Sequence, residues 1–273
     1  MRVRLFWNCE HFMDILPVIT SRDNARIKRV CALRDSEKQR AEAGLFFAEG
    51  PKLCLELAKD CTLTELYATQ AALERTPALA AFGDRTTVIA PHVAEKLAGT
   101  RSSQNVFGLF REPSTDPAPL LAAARRILAL EGVQDPGNVG TLLRSAAAFG
   151  FDAVLLGPGC AAPFSPKVLR ASMGAAGRLP VGVCTDLPAA LGTLRARGVT
   201  CLAAALYKAR PLQEVGTDLP GGVCVVIGSE GQGLTDEAVA ACNAAVRIPM
   251  TDRVESLNAG VAGSVLLWHF RGV

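Results

Sequence analysis

The sequence predicts an α/β protein in two parts: a C-terminal domain on a parallel sheet, preceded by a smaller α/β or α+β unit. Three observations predict it. From about Leu120 onward, apolar strand-like runs alternate with helical patterns. Within that region Glu131–Gly150, Val223–Leu234 and Val246–Phe270 each read as a short strand, a tight polar or glycine-rich loop, then a helix. Finally, Arg111–Pro119 carries three prolines in nine residues, which neither a helix interior nor a central strand accommodates. The expected organisation is a leader at 1–16, read as disordered or as an over-extended start, a first unit at 17–112, a linker at 113–122 and a second unit at 123–273.

In the first unit, Ile27, Val30 and Leu33 give Asn24–Arg34 helical spacing, and Leu53 and Leu57 do the same for Gly50–Lys59. Leu45–Ala48, Leu63–Ala68, Thr86–Ala90 and Asn105–Phe110 read as strands. Pro91 favours a helix start at Pro91–Ala98. In the second unit, strands are expected at Ile127–Glu131, Ala153–Leu156, Leu179–Val183, Thr200–Ala204, Cys224–Ile227 and Val246–Ile248. Helices are expected at Val139–Phe149, Lys167–Ser172, Leu187–Arg197, Asp236–Ala241 and Leu257–Phe270. Such alternation argues for parallel strands covered on both faces.

A chain of 273 residues can bury a sizeable core, and 49% apolar against 20% charged residues is a globular composition. Nine cysteines with no C-x-x-C pair, several inside apolar runs, read as reduced thiols of a cytoplasmic protein. The three histidines lie far apart, and no metal site is expected. No run approaches the ~20 apolar residues of a membrane span, and Glu10, His11 and Asp14 interrupt any signal-peptide core. Net charge is only +3, but Arg22, Arg26, Lys28, Arg29, Arg34, Lys38 and Arg40 crowd one stretch. That excess suits a polyanionic partner, or else a solvated helix face.

Three loops carry the polar residues of interest. In Asp135-Pro136-Gly137-Asn138-Val139-Gly140, Asn138 reads as a helix cap, with Arg144 about one and a half turns on. In Gly228-Ser229-Glu230-Gly231-Gln232-Gly233-Leu234, three glycines allow close backbone approach to a ligand. Glu230 there argues against a phosphate cradle and for a ligand bearing a hydroxyl, amine or cation, with Arg144 as a candidate ion-pair partner. In the third, from Ile248-Pro249-Met250 to Ser256-Leu257-Asn258, Ser256 is a candidate cap and Asn258 falls in the first helical turn. The helix continues through Gly260 and Gly263, which cost roughly 1 kcal/mol each in a helix interior. That cost implies close packing against another backbone or a partner subunit. Polar groups delivered from several strand ends to one place are how an α/β sheet builds a ligand site.

These motifs together resemble those of the SpoU (TrmH-like) RNA ribose 2′-O-methyltransferases. The carriers are Asn138-Val139-Gly140 with Arg144, Gly228-Ser-Glu230-Gly-x-Gly-Leu234, and Ile248-Pro-Met250 with Ser256-Leu-Asn258. Ala171–Pro180 is also similar to that family. Thr20-Ser21-Arg22-Asp23-Asn24 and Phe46-Phe47-Ala48-Glu49-Gly50 look like its L30e-like substrate-binding domain. The resemblance spans about residues 17–273. It implies a SPOUT domain with a trefoil knot, S-adenosylmethionine (AdoMet) as cofactor, a homodimer, and RNA as substrate, with ribosomal RNA favoured and transfer RNA the alternative. It implies cofactor contacts at Gly228, Ile248 and Leu257, with Gly231 and Met250 beside them. Arg144 would bind RNA phosphate near the target ribose and assist deprotonation of its 2′-OH. Asn138, Ser256 and Asn258 would orient the ribose, the phosphate and Arg144, and Glu230 would hold the loop.

Other readings fit less well. A dinucleotide-binding oxidoreductase needs an early G-x-G-x-x-G, which is absent. A non-catalytic RNA-binding protein predicts damaged motifs, yet all five polar positions are intact. Methylation of a base nitrogen is disfavoured by Asn138 with Arg144 and by Ser256-Leu257-Asn258.

Overall fold

The computed structural model describes residues 18–272, so the expected leader lies outside the described residues. The chain divides after Arg111 into two units, each described by itself.

The first unit runs α1 (Ala25–Asp35), α2 (Glu37–Ala43), β1 (Leu45–Glu49), α3 (Pro51–Leu57), β2 (Leu63–Ala68), α4 (Gln70–Arg75), β3 (Thr86–Val88), α5 (Pro91–Leu97) and β4 (Val106–Arg111). The Asn24 side chain caps α1 by accepting from the Arg26 amide at 2.9 Å. Ile27, Val30 and Leu33 are buried, as their spacing requires. The four strands lie in the order β1-β4-β2-β3, with β4 antiparallel to both neighbours and β2 parallel to β3. Two helices, α2 and α4, were not anticipated; both are short and largely exposed, so they lack a strong apolar stripe.

The second unit runs α6 (Ala118–Ala123), β5 (Arg126–Leu130), α7 (Pro136–Ala148), β6 (Ala153–Leu156), α8 (Pro166–Ser172), β7 (Val181–Val183), α9 (Leu187–Ala196), β8 (Thr200–Ala204), β9 (Arg210–Pro211), β10 (Val223–Ile227), α10 (Asp236–Ala240), β11 (Ala244–Arg247) and α11 (Ala259–His269). Helix α6 corrects the reading of 113–122 as linker throughout. Its prolines, Pro117 and Pro119, sit at the cap and within the first turn, where no backbone N–H is needed. The seven strands are ordered β7-β6-β5-β10-β8-β11-β9, and every neighbouring pair is parallel. Strand β10 is buried at every position, and its apolar run Val223–Ile227 is what a central parallel strand requires. The chain leaves β5 toward β6 on one side and returns with β10 on the other. The point where the strand order reverses is therefore between β5 and β10, and ligands bind outside the carboxyl ends of strands at such a point.

Two helix contacts set the geometry there. Asp135, not Asn138, caps α7, its Oδ1 accepting from the Asn138 amide at 2.9 Å. Helix α7 lies so close to α8 that a Cβ on Gly140 would stand 2.4 Å from Ala171 Cβ and 2.9 Å from backbone atoms of Ser172 and Val168. Helix α8 ends through two left-handed residues, Met173 and Gly174, before β7. On its other side α7 packs against α11. A Cβ on Gly260 would lie 3.1 Å from Asn138 Oδ1, and one on Gly263 would overlap the Leu142 side chain. The Ser145 and Ser264 hydroxyls hydrogen-bond across the pair at 2.7 Å. The two glycines of the last helix thus serve close packing within the chain.

Gly140→Ala should lower the urea midpoint. Over-packing costs about 1–3 kcal/mol, and this exceeds the roughly 1 kcal/mol that Ala gains over Gly in a helix. An unchanged midpoint would mean that α7 and α8 do not approach this closely.

Candidate active site

A cleft of about 560 Å³ opens at the carboxyl edge of the second unit's sheet. Its walls are the loops following β8, β10 and β11, closed by one side of α11. Apolar lining comes from Ile227, Ile248, Leu257 and Leu266, and polar lining from Ser229, Glu230 and Ser256.

The loop after β10 is tightly folded. Ser229 and Gly233 exchange backbone hydrogen bonds at 3.1 and 3.0 Å, and Gly233 has a positive φ of 72°. Gly228 admits no side chain, because a Cβ would meet the Gly233 and Leu234 backbone at 2.2–2.4 Å. Gly231 differs, since a Cβ there would meet nothing within 4 Å. The end of the loop is tied back to β5: Glu131 accepts from the Thr235 amide at 2.9 Å and from the Thr235 hydroxyl at 3.1 Å.

Asn138 joins the three motif loops. Its side-chain amide donates to Glu230 Oε1, and its carbonyl accepts from Asn258 Nδ2 at 2.9 Å. Asn258 Oδ1 in turn caps α11, accepting from the Val261 amide at 3.2 Å. The cap is therefore Asn258 rather than Ser256. Glu230 pairs with Asn138 and not with Arg144. Arg144 is exposed and makes no hydrogen bond or ion pair among the described residues.

Of the residues singled out from sequence, Gly228, Glu230, Gly231, Ile248, Met250, Ser256 and Leu257 line the cleft. Asn138 and Asn258 stand behind its wall and connect to it through Glu230. Arg144, six residues along α7 from Asn138, lies outside the lining. Sequence reasoning missed two contributors. Glu131 was visible only as the end of an apolar strand. Leu206, Tyr207 and Lys208 line the cleft mouth, and their one available signal was that they follow a strand ending at the same sheet edge. No group of metal-ligating side chains occurs among the described residues, and no helix among them is long and apolar enough to cross a membrane.

Fold and cleft together define an α/β protein with a ligand-sized cleft at the carboxyl edge of its parallel sheet, over β10, β8 and β11 and beside the switch point. Comparison with known proteins narrows the class. Residues 125–268 match the SpoU rRNA methylase family, and residues 24–108 match the MRM3-like substrate-binding domain. The chain is 30% identical over 254 residues to the Bacillus subtilis 23S rRNA (guanosine(2553)-2′-O)-methyltransferase RlmP, covering 93% of this chain and 99% of that protein. It is 42% identical over 143 residues to 23S rRNA (guanosine-2′-O-)-methyltransferase RlmB of Xanthomonas campestris, covering 52% of this chain and 57% of that protein. Among solved structures, an AdoMet-bound rRNA methyltransferase from Sinorhizobium meliloti superposes with a TM-score of 0.82 at 27% identity, covering 94% of this chain and 97% of the other. The chain belongs to the SpoU rRNA methylase family. It is an RNA 2′-O-methyltransferase, and its cofactor is AdoMet.

The cleft fits that cofactor. Apolar side chains suit the adenine, and the glycine-rich backbone suits its polar edges.

Glu131→Ala should free the end of the glycine-rich loop. Loss of its hydrogen bonds to Thr235, worth about 1 kcal/mol net, should raise the AdoMet Kd roughly five-fold by calorimetry. An unaltered Kd would show that Glu131 does not govern the shape of the cleft.

Proposed function

We propose that this enzyme methylates a ribose 2′-OH of ribosomal RNA, and that the cofactor cleft and the Asn138 network form one active site. The observation that carries the reading is the Asn138 carboxamide, which bonds to the second and third motif loops at once beside the cleft.

AdoMet, when bound, supplies an electrophilic methyl group. Gly228, Gly231, Ile248, Met250 and Leu257 would hold it, largely through backbone groups and apolar contacts. The remaining task is to present a weak nucleophile in line, and positioning alone can supply several kcal/mol. Ser256 faces the cleft and would contact the ribose. Asn138 and Asn258 fix the loops between them, with Glu230 as the link. Arg144 is exposed, unpaired among the described residues and outside the cleft lining. A guanidinium is all donor with no acceptor position, which makes it a poor base. We assign it to a phosphate beside the target ribose, where its charge would lower the cost of ionising the 2′-OH.

The reading includes a homodimer in the cytoplasm. Val261, Val265 and Trp268 form an apolar stripe on the outer face of α11, 50%, 38% and 54% exposed. Their spacing places them on one side of the helix. It also includes the knot implied by the family. In support, β11 lies beyond β8, yet the following α11 packs on α7 and β10, and His269 Nε2 comes 3.4 Å from the Val215 carbonyl.

Labelled AdoMet with an unmodified 23S rRNA transcript should yield methyl groups that block alkaline cleavage, which only a 2′-O-methyl does. Arg144→Ala should reduce turnover at least ~100-fold with AdoMet affinity intact. Alkali-sensitive product would assign the methyl to a base, and near-normal turnover would remove Arg144 from the mechanism. Val265→Lys combined with Trp268→Glu should give a monomer by light scattering; a persistent dimer would place the interface elsewhere.

A further inference from the structure

The basic stretch of the first unit is the obvious place for RNA to bind, but its charges are committed. Arg22 pairs with Glu95 at 2.7 Å and Lys28 with Asp23 at 3.3 Å. Arg26 and Arg29 both reach Glu65, at 3.3 and 2.6 Å. Arg34 pairs with Asp35 at 2.7 Å, and Lys38 lies 3.9 Å from Glu42. Arg40 is buried and donates to the Leu33 and Arg34 carbonyls. Burial tends to raise the Glu65 pKa, but hydrogen bonds from Tyr67, Arg29 and Arg26 outweigh it and hold the carboxylate below its usual range.

Among the described residues of this unit, three cations have no ion pair and no side-chain hydrogen bond: Lys52, Arg101 and Arg111. Arg111 ends β4 at the far end of the sheet. The other two stand at the opposite end, where β1 finishes and β4 begins. Lys52 is in the first turn of α3, two residues past Gly50. Arg101 is in the loop 99–105. A Cβ placed on Gly50 would be 3.7 Å from Gln104 Oε1, so the loop lies directly beside the start of α3.

This loop is held from below by a buried carboxylate. Glu49, 7% exposed, accepts from the Gly99 amide at 2.9 Å and from the Thr100 hydroxyl at 2.6 Å. Arg34 donates to the Ala98 carbonyl at 3.1 Å. The far end turns at Asn105, with φ of 57° and its amide bonded to Ser103 Oγ at 3.2 Å. Both ends are fixed while Arg101, Ser102 and Gln104 stand exposed. The Phe46–Gly50 motif, which supplies Glu49 and Gly50, thus shapes a polar rim.

We propose that this rim, carrying Lys52, Arg101 and Gln104, contacts the phosphate backbone of the substrate RNA, and that the paired stretch of α1 and α2 does not. A cation in an ion pair must give up its carboxylate to meet a phosphate, whereas an unpaired one does so at no such cost. The proposal rests on RNA being the substrate.

The test uses the full chain and an unmodified 23S rRNA transcript, with binding read by filter retention at several salt concentrations. Lys52→Ala/Arg101→Ala should weaken binding about ten-fold and flatten the salt slope by roughly 1.4–1.8, the share of two phosphate contacts. The AdoMet Kd should not move. Arg22→Ala/Lys28→Ala should change RNA affinity less than about two-fold. An unaltered rim variant, or a loss confined to the Arg22/Lys28 pair, overturns the proposal. Binding is read without methyl transfer. A transcript held through the rim but never methylated therefore keeps the proposal and rejects the activity reading.

Discussion

One side-chain amide turns three separate loops into a site. Asn138 offers a donor and an acceptor from the same group, and Glu230 and Asn258 take one each. Among side chains only Gln shares this carboxamide, and its extra methylene would displace both partners. Everything around Asn138 serves to fix where it stands. Asp135 holds its backbone amide, Gly140 lets α7 settle against α8, and Gly260 lets α11 come within reach. The glycine-rich loop and the start of the last helix then take their positions from it.

Such a design separates cofactor holding from RNA chemistry. The cleft wall combines glycine-rich backbone and apolar side chains with a few polar groups. Arg144 stands apart on the same helix as Asn138, exposed and uncommitted. Such a wall suits a small ligand, and a free guanidinium suits a phosphate whose position depends on how a large RNA has docked.

Much of this was legible in the residues. The strands of the second unit were readable because buried parallel strands are continuous apolar runs, as Val223–Ile227 shows. The site residues were readable because Asn138, Glu230 and Asn258 are unusual choices after such runs. What the sequence concealed was pairing. Nothing local distinguishes Asp135 from Asn138 as a cap, or Asn138 from Arg144 as the partner of Glu230. Helix α6 was hidden by prolines that are harmless in a first turn. The basic stretch concealed part of its pairing as well, because two of its partners, Glu65 and Glu95, lie up to about seventy residues away in the chain. A charge census reads only neighbours in sequence.

Strand β10 sits between β5 and β8, pairing with residues almost a hundred positions earlier, and the cleft is closed by α11, the last helix described. During synthesis the early strands can meet, but the central slot of the sheet stays empty until Val223–Ile227 emerges, and one cleft wall is missing until α11 follows. Contacts of such sequence separation form slowly. A chain stopped short of residue 259 would carry all three motif loops and all seven strands of the sheet, yet its cleft would lack the wall that α11 supplies. Activity is thus tied to synthesis of α11, and copies that stop before it lack one wall of the site.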